Sequence, residues 1–321
     1  MSNNTKTKSM SQKRFASNLV VHIILSVMAI IWVLPLLWVI LTSFREEGGS
    51  QVNYILPKGY TLNNYKNILT DTSIINFPKW FLNTFIVAIF TCIFSTFFTL
   101  SVAYTMSRLR FKLRKTFMNI ALILGMFPGF MSMIAVYYIL KGIGLTEGNL
   151  KLLALVIVYS AGTGLGFYTA KGFFDTIPKA LDEAAYIDGA TKFQVFWKIT
   201  VPLSKPIIVQ TILTSFMAPW LDFIFAKVIC GADTSCYTVA IGLWSLLERE
   251  YIYKFFTQFA AGSVLVSIPV SILFIKMQKY YVDGLSGAVK GLRIYSKMDV
   301  CVYAYIHFKI GKKLFLKWRL I

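Results

Sequence analysis

Asp182–Pro206 reads DEAAYIDGATKFQVFWKITVPLSKP, a polar, helix-forming stretch between two long apolar runs, and the rest of the chain is arranged around it. Leu181 to Ile187 is rich in alanine and predicts a short helix, on which Ala184 and Ala185 offer a surface that a partner can approach closely. Gly189 can take the left-handed conformation that ends a helix at low strain. Thr191 can cap a second helix, in which Phe193, Phe196 and Trp197 fall at i, i+3 and i+4 on one face. Pro202 and Pro206 are expected to close that helix and let another begin. The stretch predicts a helix-turn-helix elbow with one carboxylate, Glu183, at its leading end and Asp188 close to the turn. A plainer alternative is a solvated loop whose alanines are only good helix formers.

Composition places the elbow in a membrane protein. Of the 321 residues, 56% are hydrophobic and 15% charged, against about 25% charged in soluble domains. The balance of 33 basic to 14 acidic residues gives a net charge of +19, which by itself admits nucleic acid. The basic residues lie in short segments between apolar runs, however, so anionic lipid headgroups are the expected counterions and no nucleic acid is expected. The first apolar run is too long for a signal peptide and lacks a small-residue cleavage pattern, so it reads as a retained anchor. Four cysteines, Cys92, Cys230, Cys236 and Cys301, form no C-x-x-C pair and have no histidine near them, which argues against a metal site. Cys230 and Cys236 fall in a segment placed outside the membrane, where a disulfide can form.

In chain order, residues 1–14 are polar and basic and predict a disordered cytoplasmic start. Phe15 to Phe44 contains no Asp, Glu, Lys or Arg, and at about 1.5 Å per residue it exceeds the roughly 30 Å of hydrocarbon. His22 within it reads as a neutral polar residue near the interface. Arg45 to Lys79 is a polar connection on the opposite side. Trp80 to Ser107 is a second uncharged run, and the five basic residues Arg108, Arg110, Lys112, Arg114 and Lys115 fix the following loop as cytoplasmic. The third expected span, Thr116 to Leu140, contains Pro128, which either kinks a helix lining a water-filled path or serves packing alone. The fourth, Leu152 to Ala170, carries Gly162 and Gly166 at a spacing that lets two helices approach closely. Pro206 to Leu221 begins the fifth, and Asp222 interrupts it near the outer interface. Asp222 either faces a solute cavity or merely ends the span. Trp220, Phe223 and Phe225 read as interface anchors before stacking platforms. Phe255 to Ile275 is the sixth span. No P-loop, H-E-x-x-H, serine elbow or His–carboxylate cluster occurs, so the chain is not expected to be an enzyme.

The pattern Glu183-Ala184-Ala185, Gly189, then Ile199, Val201 and Pro202 resembles the cytoplasmic loop signature of permease subunits in ATP-driven importers, the ABC family. Leu more often precedes the proline there, so Val201 is a minor departure. Pro57, Thr61, Leu62, Asn64 and Tyr65 resemble an external loop of carbohydrate-importing members. The segments from Cys236 to Gly242 and Phe259 to Gly262 resemble maltose and maltodextrin permeases, as does the closing Gly287, Ala288, Val289, Lys290 and Gly291.

The resemblance implies an all-α, polytopic bundle of six spanning helices, a type I importer permease, in a bacterial plasma membrane with both termini cytoplasmic. Residues 15–291 would form the permease domain, with its core at about 80–280 and its coupling loop at 172–202. Glu183, Ala184, Ala185, Asp188, Gly189, Ile199 and Pro202 would dock on the ATPase, and Gly287, Val289, Lys290 and Gly291 would reach into its dimer. Asp222, Trp220 and Pro128 are candidates for the substrate path. The implied partners are a companion permease, an ATP-binding dimer, an extracellular solute-binding lipoprotein or periplasmic protein, and membrane lipid. ATP and magnesium would sit on the partner ATPase, and no cofactor on this chain. The implied cargo is maltodextrin or a related oligosaccharide. The family normally stops near Gly291, whereas this chain continues through residues 292–321 with seven basic residues, a segment suited to an anionic membrane surface or without a selected role. An ion-coupled secondary transporter and a membrane scaffold are the alternatives. The first expects ionisable residues in mid-membrane and repeated halves, and neither is seen.

Overall fold

A computed structural model of the chain describes residues 10–49, 56–72, 75–126, 129–148, 150–162 and 166–290. Its regular structure is helical: α1 (Met10–Ser43), α2 (Asn63–Thr70), α3 (Phe77–Arg108), α4 (Arg114–Gly125), α5 (Gly129–Gly142), α6 (Leu150–Gly162) and α7 (Phe167–Thr176). Then come α8 (Lys179–Ile187), α9 (Lys192–Val195), a π-turn (Phe196–Thr200), α10 (Val201–Leu203), α11 (Lys205–Leu221), α12 (Ile224–Cys230), α13 (Val239–Ser245) and α14 (Ile252–Lys290). Among the described residues the only extended pairing is one antiparallel bridge, Arg45 to Tyr60. Helices are what long uncharged runs require, because a backbone in hydrocarbon must bond within its own segment.

Three helices are long and apolar enough to cross a membrane: Asn18–Ser43, Phe77–Arg108 and Ile252–Tyr280. Among the described residues the number rises to as many as five if each of two bent pairs, α6 with α7 and the segment Lys192–Leu203 with α11, is one span. Over the expected third span the described residues form α4 and α5, and Met131–Gly142 is a shorter apolar helix. Pro128, between the two, lies outside the described residues, as do Gly291 and the extension 292–321. Helix α1 begins at Met10, so Lys13 and Arg14 belong to it and not to a disordered start.

The chain forms two compact units. The first comprises residues 1–83 and 233–269. In it the end of α1 is held by polar groups from the next turn of chain. Asn64 donates to the carbonyls of Ser43 (3.0 Å) and Arg45 (2.7 Å), and the Tyr65 hydroxyl meets Ser43 Oγ at 2.6 Å. The last carbonyls of a helix have no partner within it, and these side chains supply one. The core of this unit includes Ile68, Phe77, Trp80, Val239 and Ile241, all buried. Gly242 lies so close to Trp80 that a Cβ would sit 2.0 Å from its ring, and one on Gly262 would lie 2.6 Å from Leu243.

The second unit comprises residues 84–232 and 270–321. Leu100, Ala103 and Tyr104 of α3 pack with Phe167, Ala170 and Phe174 of α7, with Ile177, and with Ile207 of α11. The spacing of the α3 residues puts them on one face. Among the described residues Gly162 has no neighbour near its Cβ position and Gly166 has Thr99 at 3.8 Å. Cys230 here, and Cys236 of the first unit, are each disulfide-bonded.

Candidate functional site

The elbow is built by local rules that can be read residue by residue. Pro178 forces Ile177 into extended backbone (φ −75°, ψ 125°), which ends α7 and starts α8. Asp182 stands in the first turn of α8, where the helix dipole favours a negative charge. Gly189 adopts φ +80°, its N–H bonds Tyr186 O (3.0 Å), and the Ala190 N–H bonds Ala185 O (2.9 Å). These two bonds close α8 in a Schellman motif. Immediately after, Thr191 and Gln194 form a reciprocal capping box, with Gln194 Oε1 2.9 Å from the Thr191 N–H, and Ala190 packs with Val195 beneath it. One helix end and one helix start thus share a turn of three residues, Asp188 to Ala190, which leaves the corner little freedom.

The second arm departs from expectation at its prolines. Pro202 does not close the helix: Phe196–Thr200 is a π-turn, Pro202 sits inside α10, and the chain bends by 83° at Ser204 before α11. A proline ring clashes with the carbonyl four residues back in a regular α-helix, and the wider π-turn just before Pro202 relieves that clash with Lys198.

Helix α3 holds both arms. Arg108, its last residue, donates through Nη2 to the carbonyls of Phe174 and Ile177, each at 2.9 Å. It also pairs with Asp182 at 3.2 Å, with the two side chains only 3% and 7% exposed. Ser107 donates to Asp175 (2.6 Å), which also receives Lys171 (2.5 Å). One turn earlier, the Tyr104 hydroxyl donates to Lys192 O (3.1 Å) and its ring lies 4.8 Å from that of Phe196. Burial pushes the Asp182 carboxyl up from the usual range, Arg108 pulls it back down, neighbouring Glu183 pushes it up again, and the net direction is up. Desolvation therefore offsets the attraction, so the pair fixes position more than it adds stability.

The docking residues expected from sequence divide into two groups. Glu183, Ala184, Asp188, Gly189 and Pro202 are exposed. Ala185 and Ile199 are not: they form the small interior of the elbow with Val195, so Ala185 gives no open surface. On the elbow the exposed apolar groups are Ile187 (87%) and Phe193 (71%), with Tyr186 and Trp197 also exposed. The residues that sequence reasoning missed are Tyr104, Arg108 and Asp182. Arg108 had been read only as one of five loop charges. The available signal was its place at the end of an uncharged run, four residues after a tyrosine.

In the same unit a cavity of about 780 Å³ is bounded by α4, α5, α6 and α12, with Asp222, Ser132, Met133, Ile157 and Phe225 among its lining. Asp222 does more than end a span. Its carboxylate accepts from the Tyr159 hydroxyl (2.6 Å) and from the N–H groups of Phe225 (3.3 Å) and Ala226 (3.0 Å), tying α11 to α6 and α12. Trp220 is buried against Phe216, with 5.9 Å between ring centroids. The backbone of Gly287, Val289 and Lys290 continues α14.

A family model described as binding-protein-dependent transport system inner membrane component matches residues 96–286. The galactooligosaccharides transport system permease protein GanQ of Bacillus subtilis (strain 168) is 34% identical over 284 residues, covering 88% of this chain and 99% of that protein. The maltodextrin transport system permease protein MdxG of the same organism is 30% identical over 282 residues, again 88% and 99%. Among solved structures, a chain of a bacterial ABC transporter involved in the import of the acidic polysaccharide alginate aligns with a TM-score of 0.69 at 23% identity, covering 86% of this chain and 100% of that one, a likeness of fold. With more than half its length matched, the chain belongs to the family of binding-protein-dependent transport system inner membrane components.

Proposed function

We propose that this chain is one membrane half of an ATP-driven importer of oligosaccharides, and that its elbow docks on a separate ATPase. The observation that carries the reading is the elbow itself: a doubly capped corner that presents Glu183, Ile187 and Phe193 outward while its own interior is closed. An exposed apolar face beside a carboxylate suits a groove with a basic residue in it, and exposed apolar patches of this kind mark interaction surfaces. In this reading the elbow and both termini are cytoplasmic, and Gly287 to Gly291 reach toward the ATPase dimer. ATP and magnesium are bound by that partner. A companion permease completes the path, and an external binding protein delivers the sugar. Nucleotide and solute each bias the equilibrium between inward and outward opening, and the elbow links the two.

The cargo is an oligosaccharide, galactosyl or maltodextrin in type, which the relatives' own substrates support. The test is a reconstituted complex in liposomes, with ATP hydrolysis measured while the binding protein is loaded in turn with maltotetraose and with a galactooligosaccharide. Stimulation by one of the two is expected, and stimulation by neither overturns the reading. Glu183→Lys, which reverses the charge on the exposed face, is expected to lower uptake by about tenfold or more, the equivalent of one charge-assisted contact, while the protein stays in the membrane. Normal uptake by that variant counts against the docking.

A further inference from the structure

The elbow is attached to the rest of its unit by more than its own two ends. Helices α7 and α11 enter and leave it in sequence, yet the side chains that hold its two arms in place come from α3, which is remote in sequence. Arg108 reaches the end of α7 and Asp182 of α8. Tyr104, four residues earlier on the same face, reaches the first residue of α9 and the ring that follows. The elbow's own interior is only Ala185, Val195 and Ile199 with a few partly buried neighbours, too little to resist a push by itself. The same face of α3 continues through Leu100 and Ala103 into the core with α7 and Ile207 of α11. A displacement of either arm must therefore move α3 or break one of these bonds.

We propose that Tyr104 and Arg108 are positioning residues for coupling, and that α3 is a third lever, beside α7 and α11, through which motion of the elbow reaches the spanning helices. The inference rests on the elbow being the docking element. Arg108 bonds buried carbonyls and Asp182, and the Tyr104 hydroxyl meets that of Tyr186 at the rim of the exposed face; Glu183, Ile187 and Phe193 lie outside these contacts, so ATPase binding and coupling separate in experiment.

The test uses the full chain reconstituted with its companion permease, its ATPase and the binding protein, loaded with maltotetraose or a galactooligosaccharide, whichever stimulates the wild type. Tyr104→Phe removes one hydroxyl donor and leaves the ring packing. It is expected to retain bound ATPase in wild-type amount and basal hydrolysis within about twofold, and to lower sugar moved per ATP by about three- to tenfold, the worth of one lost hydrogen bond. Arg108→Met with Asp182→Leu removes both buried charges together, which avoids a stranded ion. It is expected to show the same separation with a larger loss. Should that double variant fail to accumulate, Tyr104→Phe decides alone. Wild-type transport per ATP in Tyr104→Phe overturns the proposal. So does loss of the bound ATPase, because the residues would then only shape the docking face. If the wild-type complex itself shows no stimulation, the importer reading falls and this inference with it.

Discussion

Two inserts between spans, Pro178–Leu203 in one unit and Asp233–Leu246 in the other, hold similar shares of apolar residues and dispose of them in opposite ways. The second turns Val239, Ile241, Leu243 and Leu246 inward and lets Gly242 press against Trp80. The first leaves Ile187 and Phe193 outside and buries only Ala185, Val195 and Ile199. The sealed insert is held redundantly, by packing, by Asn83 donating to the Ser235 and Tyr237 carbonyls (2.9 and 3.0 Å) and by the disulfide at Cys236. An open one has given up that support and depends on a few polar ties, here to Arg108 and Tyr104. Apolar surface left open beside a rigid, capped corner is the physical form that a reserved interface takes.

The difference predicts where each insert fails. Asp182→Ala strands the Arg108 guanidinium in a nearly closed site, and losing one partner of a buried pair costs about 3–5 kcal/mol. Limited proteolysis of the detergent-solubilised protein is expected to cut first within residues 178–203, with Asp233–Leu246 as resistant as in the wild type. Equal sensitivity of both inserts would break the comparison. A smaller effect is expected from Gly242→Ala, whose new methyl meets the Trp80 ring at 2.0–2.6 Å. Overpacking of this kind costs about 1–3 kcal/mol, and the sealed insert is now the one to open to protease. A thermal-shift measurement on the two variants orders them.

Much of this was legible in the residues. The elbow's corner could be read because caps are local: Gly189, Thr191 and Gln194 act within three or four positions of each other, and sequence spacing is the geometry. Asn64 and Tyr65 were noticed as part of a familiar string, and the structure supplies their reason, the end of α1. What could not be read were the ties between distant segments, Tyr104 to Lys192 and Arg108 to Asp182, since nothing in the spacing of residues 104 and 192 says that they meet. Helix continuity was hidden for a related cause. A hydropathy run reports how apolar a segment is and not whether its helix is straight, so the 83° bend at Ser204 was hidden inside an apolar run. Ala185 was misjudged because a small residue suits a crowded interior as well as an open surface.

The smallest predicted effect separates two uses of glycine. Gly242 has ordinary backbone and no room, whereas Gly189 has φ +80° and nothing within 4 Å of its Cβ position. Substitution at Gly189 therefore costs backbone strain alone, about 1–2 kcal/mol for alanine, and less for asparagine, which tolerates the left-handed region. In the isolated protein Gly189→Ala is expected to lower the melting temperature of the elbow slightly and Gly189→Asn by less still. Adding the ATPase sharpens the contrast. If the corner sits in a groove, the asparagine side chain enters space that the partner occupies, and Gly189→Asn should weaken ATPase binding more than Gly189→Ala does, reversing the order set by stability. The same order in both measurements would mean that the corner faces solvent in the complex and that docking runs through the Glu183 and Phe193 face alone.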